Sequence, residues 1–238
     1  MRLDKLLAHA GYGTRKEVKE LVRKRYVTVD DKVVTKSNMH VEPNEQIIKV
    51  DDETVFYQKY MYIMLHKPPD YLSATEDRHQ PTVIDLLPEK YKHFQVAPVG
   101  RLDKDTEGLL LLTNDGQLNH ILTSPKRDIF KTYFVKVKGN VTEEYVEKFH
   151  QGIVLDDGYK TKKAYLEIIN SNDISEVELS ISEGKFHQVK RMFRAIGMEV
   201  IYLKRISIGD LQLDPDLPIG DCRLLTEEEL EYLLSFKK

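Results

Sequence analysis

The stretch GRLDKDTEGLLLLTNDG, residues 100–116, places several charged side chains directly before four consecutive leucines. An apolar run of this kind belongs to a buried strand or a buried helix, and periodicity alone does not separate the two. Charged side chains on a loop at the mouth of a buried element often hold a reactive group beside a cleft. From spacing alone, a solvated turn whose Asp side chains cap backbone amides is an equal alternative. Asp103, Asp105 and Glu107 are therefore candidate reactive carboxylates, and their spacing does not rank them.

The rest of the chain alternates irregularly between strand-like and helix-like patterns. The patterns predict strands at 60–65, 94–97, 109–113, 131–137, 163–169, 175–181 and 200–206, and helices at 117–123, 143–151, 187–196 and 227–234. This irregular order indicates an α+β fold and not a regular βαβ array. A polar stretch at 51–54 begins a linker, so we expect two domains, residues 1–57 and residues 58–238.

Charge is distributed unevenly along the chain. The whole protein carries a net charge of −3, yet residues 1–40 hold ten Lys or Arg against five Asp or Glu, which leaves −8 for the remainder. This asymmetry predicts a polyanion-binding module at the N-terminus. One cysteine and scattered histidines give no metal-binding spacing, so no metal is expected. No apolar stretch is long enough for a membrane span or a secretory signal, which predicts a cytoplasmic protein with no membrane partner.

The N-terminal segment has two predicted helices followed by short strands. The second helix carries a cationic side at three- and four-residue steps, formed by Arg15, Lys16, Lys19 and Arg23. The segment RLDKLLAHAGYGTRKEVKELVRKRYVTVDDKVV, residues 2–34, resembles the S4 RNA-binding family. The resemblance implies that these four residues contact RNA phosphates and that the segment carries no chemistry of its own.

The stretch at 100–116 resembles the catalytic motif GRLDxxTxGLLLLTNDG of the RsuA-type pseudouridine synthases. The resemblance continues through YIMLHKP (62–68), HQPTV (79–83), LTSPK (122–126), KTYFVKV (131–137), SEGKFHQVKRMFRAIG (182–197) and LTEEEL (225–230). It implies a mixed α+β catalytic domain with a largely antiparallel sheet. It also implies a cofactor-free isomerase that converts one uridine of 16S ribosomal RNA, uridine 516, to pseudouridine. The expected partner is ribosomal RNA in a partly assembled small subunit, and the expected state is a monomer.

The same resemblance assigns roles to individual residues. Asp103 matches the catalytic nucleophile, Tyr133 the active-site tyrosine that stacks on the target base, and Lys190 the cation that pairs with the catalytic aspartate. Arg101 matches an arginine that fills the space vacated by the extruded base. Phosphate contacts are expected from Lys131, Arg191 and Arg194, whereas His187 is expected to be structural.

Three other functions remain open at this point. The first is a 23S ribosomal RNA synthase of the same family, whose members more often have RNRQVRRM-like sequences where this chain has KFHQVKRMF. The second is a non-catalytic RNA-binding or ribosome-assembly factor, for which the basic N-terminus would suffice. The third is a glycoside hydrolase built on the carboxylates at 103, 105 and 107, which would need a second carboxylate across a sugar cleft.

Overall fold

The computed structural model describes residues 1–55 and 57–237, which pack as two units. The first unit contains Met1–Met61 together with Pro88–Gln95, and the second contains Tyr62–Leu87 and the chain from Val96 onward. The sequence predicted ranges of 1–57 and 58–238, so the main difference is the short segment at 88–95. No helix in the described part of the chain is both long and apolar enough to cross a membrane.

The first unit is a pair of helices on a small antiparallel sheet. Its elements are α1 (Leu3–His9), α2 (Arg15–Arg23), β1 (Val27–Val29), β2 (Lys32–Val33), β3 (Ile48–Val50), β4 (Glu53–Thr54) and α3 (Glu89–Lys92), with strand order β2-β1-β3-β4. A capping box begins α2, since Thr14 accepts from the Glu17 amide and the Glu17 carboxylate accepts from the Thr14 amide. Val18 and Val22 bury one side of α2 in the core and leave its cationic side exposed.

The second unit is built around one large sheet. Its elements are β5 (Tyr62–Lys67), β6 (Ala97–Pro98), β7 (Glu107–Thr113), α4 (Gly116–Thr123), β8 (Lys131–Lys138), α5 (Glu143–Gln151), β9 (Tyr165–Asn170), β10 (Ile174–Ile181), α6 (Gln188–Ala195), β11 (Glu199–Ile208), β12 (Leu211–Gln212), β13 (Cys222–Leu224) and α7 (Glu227–Ser235). The α+β class is confirmed. The four leucines at 109–112 form part of strand β7, and all four are fully buried.

The order of the strands in the large sheet is β13-β5-β7-β11-β8-β10-β9. Strands β7 and β11 are parallel, and the other described pairs along this path are antiparallel, so the sheet is largely antiparallel as expected. At the parallel pair, Gly108 lies opposite Arg205 with a φ of +105°. A Cβ at Gly108 would lie 2.2 Å from the Arg205 carbonyl oxygen, so only glycine fits here. The loop before β7 therefore ends against the middle of β11.

The predicted strand at 94–97 is wrong. Strand β6 covers only Ala97–Pro98, and a turn at 93–94 follows helix α3. Phe94 is buried, and its ring lies 4.0 Å from the His93 ring and 5.9 Å from the His9 ring. Packing within the first unit therefore determines the conformation of this segment. The apolar pattern of residues 94–97 does not indicate these contacts with residues distant in the chain.

Candidate active site

A buried lysine, Lys67, holds the loop that precedes β7 in place through hydrogen bonds. Lys67, at the end of β5, is fully buried, and its Nζ donates to the carbonyl oxygens of Pro68 (2.9 Å), Lys104 (3.1 Å) and Thr106 (2.9 Å). Burial lowers the pKa of Lys67 to about 8, although nearby carboxylates, Asp105 first among them, oppose this shift. Three bonds from one ammonium hold the loop backbone on both sides of Asp105.

A serine holds the same loop one residue before Asp103. The Ser73 hydroxyl donates to the Leu102 carbonyl oxygen at 2.9 Å and accepts from the Leu102 amide at 3.0 Å. Ser73 and Leu102 are both buried. Since its neighbours are tied down in this way, the backbone of Asp103 has little freedom to move.

Two basic side chains lie on either side of the Asp103 carboxylate. The His187 Nε2 lies 3.7 Å from its Oδ1, and the Lys190 Nζ lies 3.7 Å from its Oδ2. Lys190 bonds more closely to Asp105, at 2.5 and 2.7 Å from the two carboxylate oxygens. The expectation that Lys190 pairs with Asp103 thus needs an amendment, because in this structure its hydrogen-bonded partner is Asp105. Partial burial is the largest single influence on the pKa of Asp105 and raises it, but the hydrogen bonds and the charge of Lys190, together with smaller effects, lower the pKa below its usual value.

Tyr133 lies on β8, where it is half-buried and pairs with Arg205 of β11 on one side and Leu179 of β10 on the other. Together with Asp103 it lines a cavity of about 840 Å³. Arg101, Lys131, His187 and Arg205 line the same cavity. Pockets that hold small organic ligands measure about 300–1,000 Å³, so an extruded nucleoside fits this space.

Two residues line the cavity although the sequence assigns neither of them a role there. The sequence predicts a structural role for His187, yet it lies beside Asp103 in a left-handed conformation (φ +49°) at the start of α6. Its ring stacks on Phe186, which is 76% exposed, with centroids 3.8 Å apart. Arg205 falls in the strand predicted at 200–206, to which the sequence assigns no function, yet it is buried and lines the cavity. Its position opposite Gly108 depends on strand order, which the sequence does not display.

The residues expected to bind RNA have different surroundings. In the first unit, Arg15, Lys16, Lys19 and Arg23 are all exposed on α2. In the second unit, Arg101 and Arg194 are exposed, whereas Arg191 forms ion pairs with Asp156 and Asp157. The Lys131 Nζ donates to the Ile129 carbonyl oxygen at 2.8 Å, and burial lowers the pKa of Lys131 to about 8. Lys131 is therefore a wall of the cavity, in contrast to the exposed cations.

The site has no arrangement suited to a metal ion. Among the residues that the structure describes, no group of three His, Cys, Asp or Glu side chains is placed to hold one. The chemistry that these residues themselves offer is that of a carboxylate, a phenol and several cations around a cavity. Such a set can act on a sugar or a base as nucleophile or proton acceptor, while the cations stabilise negative charge.

Comparison with known proteins places this arrangement in a family. The model described as RNA pseudouridylate synthase matches residues 61–195, and the S4 domain model matches residues 1–47. An uncharacterized RNA pseudouridine synthase of Bacillus subtilis is 50% identical, with 98% of each chain covered. The ribosomal small subunit pseudouridine synthase A of Vibrio parahaemolyticus is 45% identical, and that of Escherichia coli K12 is 39% identical; both cover 97% of this chain and 98% of their own.

A solved structure gives the same result. A crystal structure of a pseudouridylate synthase has a TM-score of 0.69 and 37% sequence identity, and it covers 98% of this chain and 99% of that chain. Both resemblances inferred from the motifs are thereby confirmed. The chain belongs to the RNA pseudouridylate synthase family, as an isomerase of the RsuA type that acts on RNA and carries an S4 domain at its N-terminus.

Proposed function

We propose that this enzyme converts a single uridine of 16S ribosomal RNA to pseudouridine, with Asp103 as the reacting carboxylate. The observation that carries the proposal is that Asp103 and Tyr133 line one cavity of nucleoside size, with the Lys190 Nζ 3.7 Å from the Asp103 carboxylate. Relatives named ribosomal small subunit pseudouridine synthase A support the choice of ribosomal small-subunit RNA, whereas uridine 516 is proposed from the motif resemblance alone. We further propose that the enzyme works as a cytoplasmic monomer on a partly assembled small subunit.

The reaction breaks the N1–C1′ bond of uridine, turns the uracil and joins it to C1′ through C5. The C5 proton is lost and N1 gains a proton, so atoms and electrons balance without an external reagent. The target base must first leave its stack, and the Tyr133 ring offers a surface worth ~1–3 kcal/mol for a stacked base. Arg101, exposed at the cavity, is available for the space that the base vacates.

In this proposal the Asp103 carboxylate reacts at or beside the N1–C1′ bond. A carboxylate there can attack C1′, add to the base, or accept the 2′-proton, and it favours positive character at C1′ in the first and third routes. Lys190 and His187 orient it from two sides. We assign to the Tyr133 phenol, which lines the same cavity, the removal of the C5 proton once the uracil has turned. Phosphate contacts by Arg15, Lys16, Lys19 and Arg23, with Arg191 and Arg194, would supply sequence-independent affinity.

Mapping pseudouridine in ribosomal RNA from cells with and without the gene tests the substrate. Loss of one site in 16S RNA supports the proposal, whereas loss of a 23S site would assign the enzyme to the other ribosomal substrate. Complementation with Asp103→Asn tests the catalytic role, because the change removes the carboxylate and keeps its size. The site should stay unmodified with this variant and return with Asp77→Asn, a matched change at an exposed aspartate that does not line the cavity.

A further inference from the structure

Arg205 brings a buried positive charge to the active-site cavity with most of its hydrogen-bonding capacity unused. The side chain is only 3% exposed, and its Nε donates to the Leu109 carbonyl oxygen at 2.8 Å. The terminal guanidinium nitrogens donate to no acceptor in the described part of the chain, and Nη2 is buried. A buried donor without an acceptor is costly, so this arrangement calls for a partner from outside the protein.

Lys131 adds a second positive charge to the same wall of the cavity. After burial, the charge of Arg205 is the next cause of its lowered pKa, which shows that the two cations share one environment. No carboxylate of the described residues lies within ion-pair distance of Lys131 or Arg205, although many other basic residues of the chain have such partners. A buried cation beside a partly buried one, with no counter-ion for either, is unfavourable until a group with negative charge binds next to them.

The position of Arg205 indicates which part of the RNA supplies that charge. Arg205 pairs across the sheet with Tyr133 of β8 on one side and, on the other, with Gly108 near the start of β7, just after the loop that carries Asp103. A base stacked on Tyr133 therefore directs one edge towards the strand that carries Arg205. When a nucleotide is extruded, its base enters the cavity, whereas its phosphates stay with the RNA backbone outside the cavity. The carbonyl edge of uracil is thus better placed than a phosphate to meet this guanidinium.

Uracil becomes negatively charged during the reaction. When the N1–C1′ bond breaks, the bonding electron pair stays on the base and spreads over N1, O2 and O4. It is used again when C5 bonds to C1′ and releases its proton, while N1 takes one up. If the carboxylate adds to the base instead, charge again collects on a carbonyl oxygen. Fixed donors aimed at an oxygen where charge develops are among the strongest sources of rate enhancement.

We propose that Arg205, assisted by Lys131, binds the carbonyl edge of the target uracil and stabilises the negative charge that the base carries while it is detached. The proposal rests on the proposed pseudouridine synthase reaction at the Asp103 cavity and adds a catalytic residue to it. Lys131 thereby contributes to the base site and not to a phosphate contact.

The test combines Arg205→Met with RNA that carries sulfur in place of O2 or O4 of the target uridine. Sulfur accepts hydrogen bonds poorly, so it removes the contact from the substrate side as the variant removes it from the protein side. On ordinary RNA we expect Arg205→Met to lower the single-turnover rate by ~100-fold, with RNA affinity changed less than ~3-fold. On RNA with sulfur at the contacted oxygen, the loss caused by the variant should shrink to less than ~10-fold.

The comparison is insensitive to the chemistry of sulfur itself. The greater acidity of a thiouracil changes the rates of the wild type and the variant by the same factor. It therefore cancels when the wild-type to variant rate ratio on ordinary RNA is divided by the same ratio on sulfur-substituted RNA. Arg223→Met is the matched control, since Arg223 is ion-paired to Asp214 and Glu229 and does not line the cavity. It should show the wild-type sulfur effect even if it lowers stability. Arg205→Lys, which keeps the charge, provides the same comparison should the Met variant fold poorly.

Sulfur effects in both Arg205 variants equal to those of the wild type at O2 and at O4 would overturn the proposal and leave Arg205 as a support for Leu109. A second result would also overturn it. If the rate loss caused by Arg205→Met shrank on RNA with a methylphosphonate at the target nucleotide but not on RNA with sulfur in the base, Arg205 would be assigned to a phosphate contact. A wild-type enzyme that isomerises no uridine of ribosomal RNA would refute the proposed function itself. That failure is recognisable because it appears before any substitution is made.

Discussion

Replacing Lys67 by Met should disorganise the loop that precedes β7 and carries Asp103, while leaving the sheet intact. The change keeps a long side chain in the buried space but removes the Nζ that bonds to the carbonyl oxygens of Pro68, Lys104 and Thr106. Hydrogen bonds from a charged donor contribute roughly 1.5–3 kcal/mol each. Burial of the charge offsets about 3 kcal/mol of that sum, since the pKa falls from 10.5 to about 8. The free energy of unfolding of the catalytic unit should therefore drop by about 1.5–6 kcal/mol.

The effect on the reaction should be larger than the effect on stability suggests. Asp103 lies between Leu102, held by Ser73, and Lys104, held by Lys67, so loss of one support allows its carboxylate to drift. A displacement of about 1 Å in a reacting group costs on the order of 100-fold in rate. Single-turnover kinetics on ribosomal RNA should show this loss with unchanged RNA affinity. Lys136→Met, which removes a half-exposed lysine paired with Glu176, should cost less than ~1 kcal/mol and keep the rate.

The pH dependence of stability provides a second measurement for Lys67→Met. In the folded protein Lys67 releases its proton at about pH 8, whereas in the unfolded chain it holds the proton to about 10.5. The unfolded state then binds more protons between these values, so the stability of the wild type rises with pH in this window. Lys67→Met should lose the part of this rise in stability that is due to Lys67. It should keep the part due to Lys131, whose pKa is also about 8. A variant that melts and turns over like the wild type would refute the assigned role.

Three further predictions follow from other parts of the structure. Asp105→Asn should reduce the rate far less than Asp103→Asn, because Asp105 acts through its bond to Lys190; equal losses in single-turnover assays would contradict this. Replacing the four α2 cations, Arg15, Lys16, Lys19 and Arg23, by Gln should weaken RNA binding and lower the slope of log affinity against log salt by ~0.7–0.9 for each lost phosphate contact; an unchanged slope would exclude α2 from the interface. In the first unit, burial and then the charge of His9 lower the pKa of His93, so the neutral ring is favoured and stability present above pH 6.5 is lost as pH falls below it. His93→Phe should show a smaller fall in melting temperature between pH 7 and pH 5 than the wild type and keep the part due to His9, whose pKa burial also lowers; an equal fall in both proteins would contradict this.

Local features of the sequence predicted most of the elements and part of the site. The helix expected at 117–123 is Gly116–Thr123, and that expected at 143–151 is Glu143–Gln151, because caps and apolar periodicity are properties of neighbouring residues. Asp103 and Tyr133 line one cavity, as their motifs implied. The strand expected at 94–97 failed for the opposite reason, since the buried Phe94 packs on residues far away in the chain.

The same distinction explains why two cations of the site could not be predicted although Asp103 and Lys190 could. Asp103 and Lys190 each lie in a motif that implies a role, whereas Lys67 and Arg205 act from strands β5 and β11, to which the sequence assigns none. Both become neighbours of the site only through sheet order, and the parallel contact between β7 and β11 joins residues 108 and 205. Charge pattern along the chain predicts an exposed surface such as that of α2, but it does not reveal which charges fold inward. The reacting group can therefore be read from sequence, while the electrostatic environment that makes it reactive depends on strand pairing across nearly one hundred residues.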